Sequence, residues 1–233
     1  MHLFYTPDIA QSNELPEEEA AHALRVLRLG VGDELTLTDG KGMFYQASIA
    51  AATNKRCQIV LQNATAWKKP WNGHIHIAMA PTKNLDRIEW FAEKATEIGI
   101  DELTFLNCRY SERRVVKTER IDKILVSAMK QSLKAVKPLL NGMTDFQKFV
   151  QMPFVGDKYI AHCNEGEKLL LKDIEGFSNK TLVLIGPEGD FSIEEVALAC
   201  ENGFKPISLG ESRLRTETAA LVATHIINIK YQP

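Results

Sequence analysis

Two glycine turns in the last third of the chain, and a polar loop further upstream, hold the residue types best suited to gripping a small ligand. IGPEG, residues 185–189, closes the apolar run TLVLI, and LGESRLRTETA, beginning at residue 209, closes the run FKPIS. Between them they carry Gly186, Gly189 and Gly210 with the charges of Glu188, Arg215 and Glu217. A third loop, residues 80–84 with Thr82 and Lys83, follows the strand-like HIHIAM. Glycines, backbone amides and apolar side chains suit a ligand that is held rather than activated by a metal. Other chemistries lack their motifs. No GxGxxG follows a strand, GxxxxGK[ST] and GxSxG are absent, and no His and carboxylate cluster has metal-ligand spacing.

A second chemistry is polyanion binding. The formal net charge is only -2, yet residues 109–137 hold nine Lys or Arg against three Asp or Glu. Arg113, Arg114, Lys117 and Arg120 open that stretch and Lys134 lies near its end. His22, Arg25 and Arg28 recur every three residues, on or near one helical face. Each set suits phosphate contacts or an ordinary solvated face. Trp67 and Trp71 flank two lysines and either cover a junction or stack on bases. His162 and Glu165 suit a loop surface better than a pocket.

These residues need a scaffold. The chain of 233 residues, 45% hydrophobic, can bury one large core or two modest ones. A strand over residues 1–5, a helix from Pro16 to about Gly30, a hairpin at Asp39-Gly40-Lys41-Gly42 and a further strand predict a small half-open barrel of antiparallel strands. Residues 69–73 break the pattern and serve as a linker between domains at 1–68 and 74–233. Beyond it, strands and helices alternate, the order expected of a mostly parallel α/β sheet. A helix with Leu85, Ile88, Ala92 and Ala95 on one side stops at Gly99; another runs through the basic stretch and ends before Pro138; a capping box at Ser192 and Glu195 starts a third. Residues 139–157 give no clear pattern. The three polar loops each follow a strand and precede a helix, so they open on one edge of the sheet and make one composite pocket. Scattered Cys57, Cys108, Cys163 and Cys200, no signal-like N-terminus and no membrane-length apolar run predict a cytoplasmic protein without a membrane partner.

The blocks IGPEGDFS and LGESRLRTETA, with HALRVLRLGVGD, KNLDRIEWFAEKATEIG, SERRVVKTER and MKQS in the same order, resemble the bacterial small-subunit ribosomal RNA methyltransferases of the SPOUT class. That family methylates N3 of a uridine in 16S RNA. The resemblance implies an N-terminal PUA-like barrel for RNA and an α/β domain with a deep trefoil knot around S-adenosylmethionine. It also implies a homodimer through the knot region, acting on 16S RNA or the 30S subunit. The knot follows from the resemblance alone, since connection rules argue against knots.

Carried over residue by residue, the cofactor site falls on Thr82, Lys83, Ile185, Gly186, Pro187, Glu188, Gly189, Leu209, Gly210, Leu214, Arg215 and Thr218, with Thr216 and Glu217 in the same block. Gly186 and Gly189 would let the backbone approach the cofactor. RNA would meet His22, Arg25, Arg28, Arg113, Arg114, Lys117, Arg120 and Lys134. Three departures stand out: Asp190 replaces a usual glycine, Arg213 is one position late, and Leu133-Lys134 replaces Gly-Arg. In the implied reaction Arg215 favours the uridine anion and positions the base, Glu188 orients Arg215 or the base, and Glu217 acts as base or accepts N–H groups of the last helix. Competing readings are a SPOUT enzyme for another rRNA or tRNA base or a ribose, a non-enzymatic RNA-binding assembly protein, and a small-molecule nucleotide enzyme.

Overall fold

A computed structural model describes residues 2–53 and 56–233. The chain clusters into two compact units, Met1–Lys69 with Val126–Lys137, and Pro70–Leu125 with Pro138–Pro233.

The first unit contains β1 (Leu3–Tyr5), α1 (Glu17–Ala21), a π-helical turn (His22–Val26), β2 (Glu34–Thr38), β3 (Met43–Ala52) and β4 (Cys57–Ala66). The expected strand start at Met1 lies outside the described residues. The sheet order is β1-β2-β3-β4. β2, β3 and β4 pair antiparallel as expected, whereas β1 runs parallel to β2, because the helix carries the chain across before β2 begins. The hairpin forms where Asp-Gly-Lys-Gly predicts it. Asp39 Oδ1 accepts the N–H groups of Lys41 and Met43, and Gly40 and Gly42 take φ of 70° and 113°. Phe4, Leu35, Leu37, Ala47, Ile49 and Ile59 bury their side chains with Ala20 and Ala23 of the helical segment. Burial of each larger one contributes about 1.5–3 kcal/mol.

The helix does not continue to Gly30. It widens into the π turn and ends at Arg28, which takes a left-handed φ of 58° while Leu29 N–H donates to the Ala23 carbonyl. The single helical face expected for His22, Arg25 and Arg28 is therefore broken, since neither π nor left-handed backbone keeps the 3.6-residue period. Residues 126–137, expected in the second domain, cluster here instead. The Ala135 carbonyl accepts from Gly42 N–H at 2.8 Å, and Lys130 Nζ pairs with Glu19 Oε1 at 2.5 Å.

The second unit runs β5 (His74–Met79), α2 (Leu85–Ile98), β6 (Glu102–Asn107), α3 (Thr118–Gln131), β7 (Leu139–Asp145), α4 (Phe146–Val150), β8 (Asp157–Ala161) and β9 (Leu169–Leu170). A 3-10 turn, β10 (Lys180–Ile185), α5 (Ile193–Glu201), β11 (Lys205–Ser208) and α6 (Thr216–Tyr231) follow. Only the first part of α3 belongs to this unit. The seven strands are parallel, in the order β7-β6-β5-β10-β8-β11-β9. The buried runs of β5, β6 and β10 fit central strands covered on both faces. Phe146, Phe149, Phe191, Phe204, Leu182 and Leu184 share one cluster beside α4 and α5.

Predicted helix signals are realised in α2 and α5. Asn84 caps α2 by accepting Asp86 N–H, Ile88, Ala92 and Ala95 are buried, and Gly99 at φ 126° ends the helix. Ser192 and Glu195 form the capping box of α5. α3 ends before Pro138, as expected, with Gln131 its last residue. Leu133 takes φ 52°, its N–H donates to the Lys130 carbonyl, and Lys134 N–H donates to the Met129 carbonyl, a Schellman ending. Among the described residues, no helix is long and apolar enough to cross a membrane.

Candidate functional site

In a parallel sheet every strand ends on the same edge, so the loops after β5, β10 and β11 do open together. A fourth loop joins them. β8 lies between β10 and β11, which puts the segment starting at His162 between the two glycine turns. Sequence reasoning favoured a loop surface for this segment, because neighbours in the sheet are far apart in the chain.

The loop after β5 is gripped on both sides. Glu188 Oε1 accepts Lys83 N–H at 2.9 Å, while Arg113 donates through Nε to the carbonyls of Thr82 and Lys83 and through Nη2 to Lys83 O at 2.6 Å. Glu188 thus holds this loop; its observed partner is not Arg215. Buried Thr82 donates its hydroxyl to the Asn84 carbonyl at 2.7 Å.

Gly186 and Gly189 are small for reasons of packing within the protein. A Cβ at Gly186 would lie 3.1 Å from Phe191 N, and one at Gly189 would lie 3.2 Å from Tyr110 Cβ. Neither has a left-handed φ. Gly210 differs: its φ is 126°, and nothing lies within 4 Å of the position a Cβ would take. Only glycine adopts that backbone readily, and the space before it is open. Ile185 and Pro187 are buried, Leu209, Leu214 and Thr218 half-buried.

Exposed Arg215 is the N-cap residue of α6, and Thr216 and Glu217 are buried in its first turn. Glu217 Oε1 lies 3.7 Å from Arg87 Nε, and its Oε2 is buried without a partner. Asn107 Oδ1, at the end of β6, and both ring nitrogens of His162 are likewise buried and unpartnered. Burial, then the nearby Lys168 ammonium, pulls the His162 pKa below the ordinary histidine value, favouring a neutral ring. Each unsatisfied buried group costs about 1–3 kcal/mol, which a ligand with matching donors and acceptors would recover. These atoms, with the open backbone at Gly210, fit a polar small molecule. His162 and Asn107 were absent from the predicted site, and their one sequence signal is their position just past strand ends.

The basic residues divide by their partners. Arg120 forms a two-pronged pair with Glu89, Arg109 Nη1 meets Glu194 at 3.0 Å, and Arg109 N–H donates to Glu195. Arg114 and Lys117 are exposed. In the first unit Arg25 and Arg28 are exposed, Lys134 is half-buried, and the His22 ring packs against Phe4 with centroids 5.9 Å apart.

A separate cavity of about 470 Å³ opens toward the amino ends of the strands. Its polar lining is a closed network. His74 Nε2 meets Glu102 Oε2 at 2.9 Å, Asn141 Nδ2 donates to Glu102 Oε1 and Thr104 Oγ1, and His76 Nε2 meets Thr104 Oγ1 at 2.8 Å. Burial lowers the His76 pKa to about 4.

Comparison with known proteins finds two matching family domains in the chain. Residues 69–228 match the RNA methyltransferase domain and residues 15–62 the RNA methyltransferase PUA domain. The chain is 30% identical over 217 residues to ribosomal RNA small subunit methyltransferase E of Rickettsia conorii, covering 90% of this chain and 86% of that one. Its fold is similar to that of a probable rRNA-methyltransferase from Porphyromonas gingivalis, with a TM-score of 0.94, 47% identity, and 99% and 98% of the two chains covered. It is also similar to ribosomal RNA small subunit methyltransferase E from Neisseria gonorrhoeae bound to S-adenosyl methionine, with a TM-score of 0.88, 27% identity and the same coverage.

Proposed function

This chain belongs to the RNA methyltransferase family, and we propose that it methylates N3 of a uridine in 16S ribosomal RNA using S-adenosylmethionine. One observation carries the reading: the buried, unpartnered polar atoms of Asn107, His162 and Glu217 all lie at or past the carboxyl ends of the strands, on the sheet edge that also bears the glycine turns. The residues that would hold the cofactor are Ile185, Gly186, Pro187 and Gly189 of one turn, Leu209, Gly210, Leu214 and Thr218 of the other, and the braced loop of Thr82 and Lys83. When bound, S-adenosylmethionine supplies an electrophilic methyl group. The chain's own residues must orient the base and remove its N3 proton. Glu217, buried with one free carboxylate oxygen, takes the role of proton acceptor rather than helix cap. Arg215 stabilises negative charge on the uracil ring and positions the base.

Arg25, Arg28, Arg114, Lys117 and Lys134 position the RNA backbone, with Arg120 and His22 contributing from their paired and packed settings. Arg113 acts first on the cofactor loop. The strand order, with β8 between β10 and β11, supports a knotted path for the C-terminal segment, and a homodimer through that region completes the reading. Ribosomal RNA as substrate places the protein in the cytoplasm.

Incubation with labelled S-adenosylmethionine and unmethylated 30S subunits, alongside naked 16S RNA, should yield N3-methyluridine on nucleoside analysis. Label in another base or a ribose would overturn the target; no label despite cofactor binding would leave an RNA-binding assembly protein. Arg215→Ala should keep cofactor affinity within a few fold and lose most turnover, and loss of cofactor binding in a titration would remove the role assigned to Arg215.

A further inference from the structure

Asp190 ends the GPEG turn with a φ of 65°, a backbone region that side chains other than Asn and Asp rarely adopt. Its N–H donates to the Pro187 carbonyl at 2.9 Å, closing the turn. Both carboxylate oxygens are also engaged. Oδ1 accepts Phe191 N–H at 2.8 Å, and Oδ2 accepts Cys163 N–H at 2.7 Å. The same two segments meet again where Asn164 Nδ2 donates to the Phe191 carbonyl at 3.2 Å. On the far side of the loop, Lys168 Nζ donates to the carbonyls of His162 and Asn164. The segment after β8 is therefore tied to the turn after β10 by one carboxylate and folded on itself by one ammonium.

The tied peptide is the one that follows His162, whose ring nitrogens are buried without partners. A loop carrying an unsatisfied imidazole would otherwise relax so that the ring could reach water, and the Asp190 bridge opposes that relaxation. Accordingly, we propose that Asp190 is a positioning residue: its carboxylate holds the loop after β8 so that His162 stands ready to partner the bound cofactor. The inference rests on the S-adenosylmethionine reading above. Glycine would take the same φ without strain but supply no acceptor. Asparagine would tolerate the φ and keep one acceptor oxygen without the charge that makes carboxylate hydrogen bonds strong.

Three proteins test this: the full-length wild type, Asp190→Gly and Asp190→Asn. Calorimetric titration with S-adenosylmethionine should show about tenfold weaker binding for D190G and an intermediate loss for D190N, from losing a charge-assisted hydrogen bond. Thermal midpoints should stay close to wild type. In steady state the KM for the cofactor should rise while kcat and the KM for RNA hold. Nitrogen-15 spectra should show the His162 ring signals moving on cofactor addition in wild type and moving less in D190G. Equal cofactor affinity in wild type and both variants overturns the proposal. So does a D190G protein whose midpoint falls and which loses RNA and cofactor binding alike. Wild type that binds no S-adenosylmethionine sinks the underlying reading instead.

Discussion

The seven-stranded sheet has chemistry at both ends of its strands, and the two ends differ in how their polar atoms are satisfied. Toward the amino ends, His74, His76, Glu102, Thr104 and Asn141 line a cavity of about 470 Å³, and none of their buried polar atoms lacks a partner. Past the carboxyl ends, Asn107, His162 and Glu217 leave buried atoms unpaired beside loops that are braced from outside. The cavity marks the first region. Unsatisfied polarity marks the second, where a ligand with matching donors and acceptors would repay the cost of the unpaired atoms.

The contrast can be broken most sharply at Glu217. Glu217→Gln keeps the shape of a buried side chain and removes the proposed proton acceptor, so kcat should fall by about 10²–10⁴ with cofactor affinity little changed. Near-normal turnover would return Glu217 to a structural role. At the opposite end the effect is on stability. The His76 pKa is lowered from 6.5 to about 4 by burial, so the unfolded chain takes up this proton before the folded one does. The stability contributed by the neutral ring is complete above pH 6.5 and is lost as pH falls from there toward 4. Urea melts should show a loss of about 2 kcal/mol between pH 7 and pH 5 from this group. His76→Gln should flatten that slope while leaving cofactor affinity at pH 7 unchanged, and a matching loss of affinity would erase the distinction between the two ends.

A smaller effect separates Arg113 from its neighbour. Arg114→Ala should reduce the slope of log affinity against log salt for RNA by roughly 0.9, the loss of one phosphate contact. Arg113→Ala should instead raise the cofactor KM several fold, because it brackets the carbonyls of Thr82 and Lys83. The reverse pattern in filter binding and kinetics would reassign both.

Much of this architecture was legible in the chain because it is encoded locally. Ser192 with Glu195, Asn84 with Gly99, and the glycines after Asp39 each announce a helix end or hairpin through contacts a few residues long. The three polar loops could be placed on one edge from alternation alone. What stayed hidden depends on distant pairing. No periodicity shows that β8 inserts between β10 and β11, so His162 looked like loop surface. Nor could spacing foresee that Glu188 would serve Lys83, or that β7 and α4 occupy the stretch without a clear pattern, since β7 contains Asn141 and Gly142. The departures from the resembled family prove instructive for the same reason. Asp190 and Leu133 stand where glycine was expected, and both keep a left-handed backbone. Asp190 gains hydrogen bonds from its place. For Leu133 the structure offers no comparable gain.

The strand order also has a consequence for synthesis. His74 of β5 pairs with Lys180 of β10, and β8 must wait for β10 on one side and β11 on the other. As the chain leaves a ribosome, β5, β6 and β7 can associate early, but the inner edge of β5 stays bare until β10 emerges. Contacts this distant in sequence make for slow folding, and an apolar strand edge left open invites pairing with other chains. A nascent chain from which β7 has emerged and β10 has not would therefore display a half-sheet, and chaperone dependence should peak at that length rather than at the N-terminal unit.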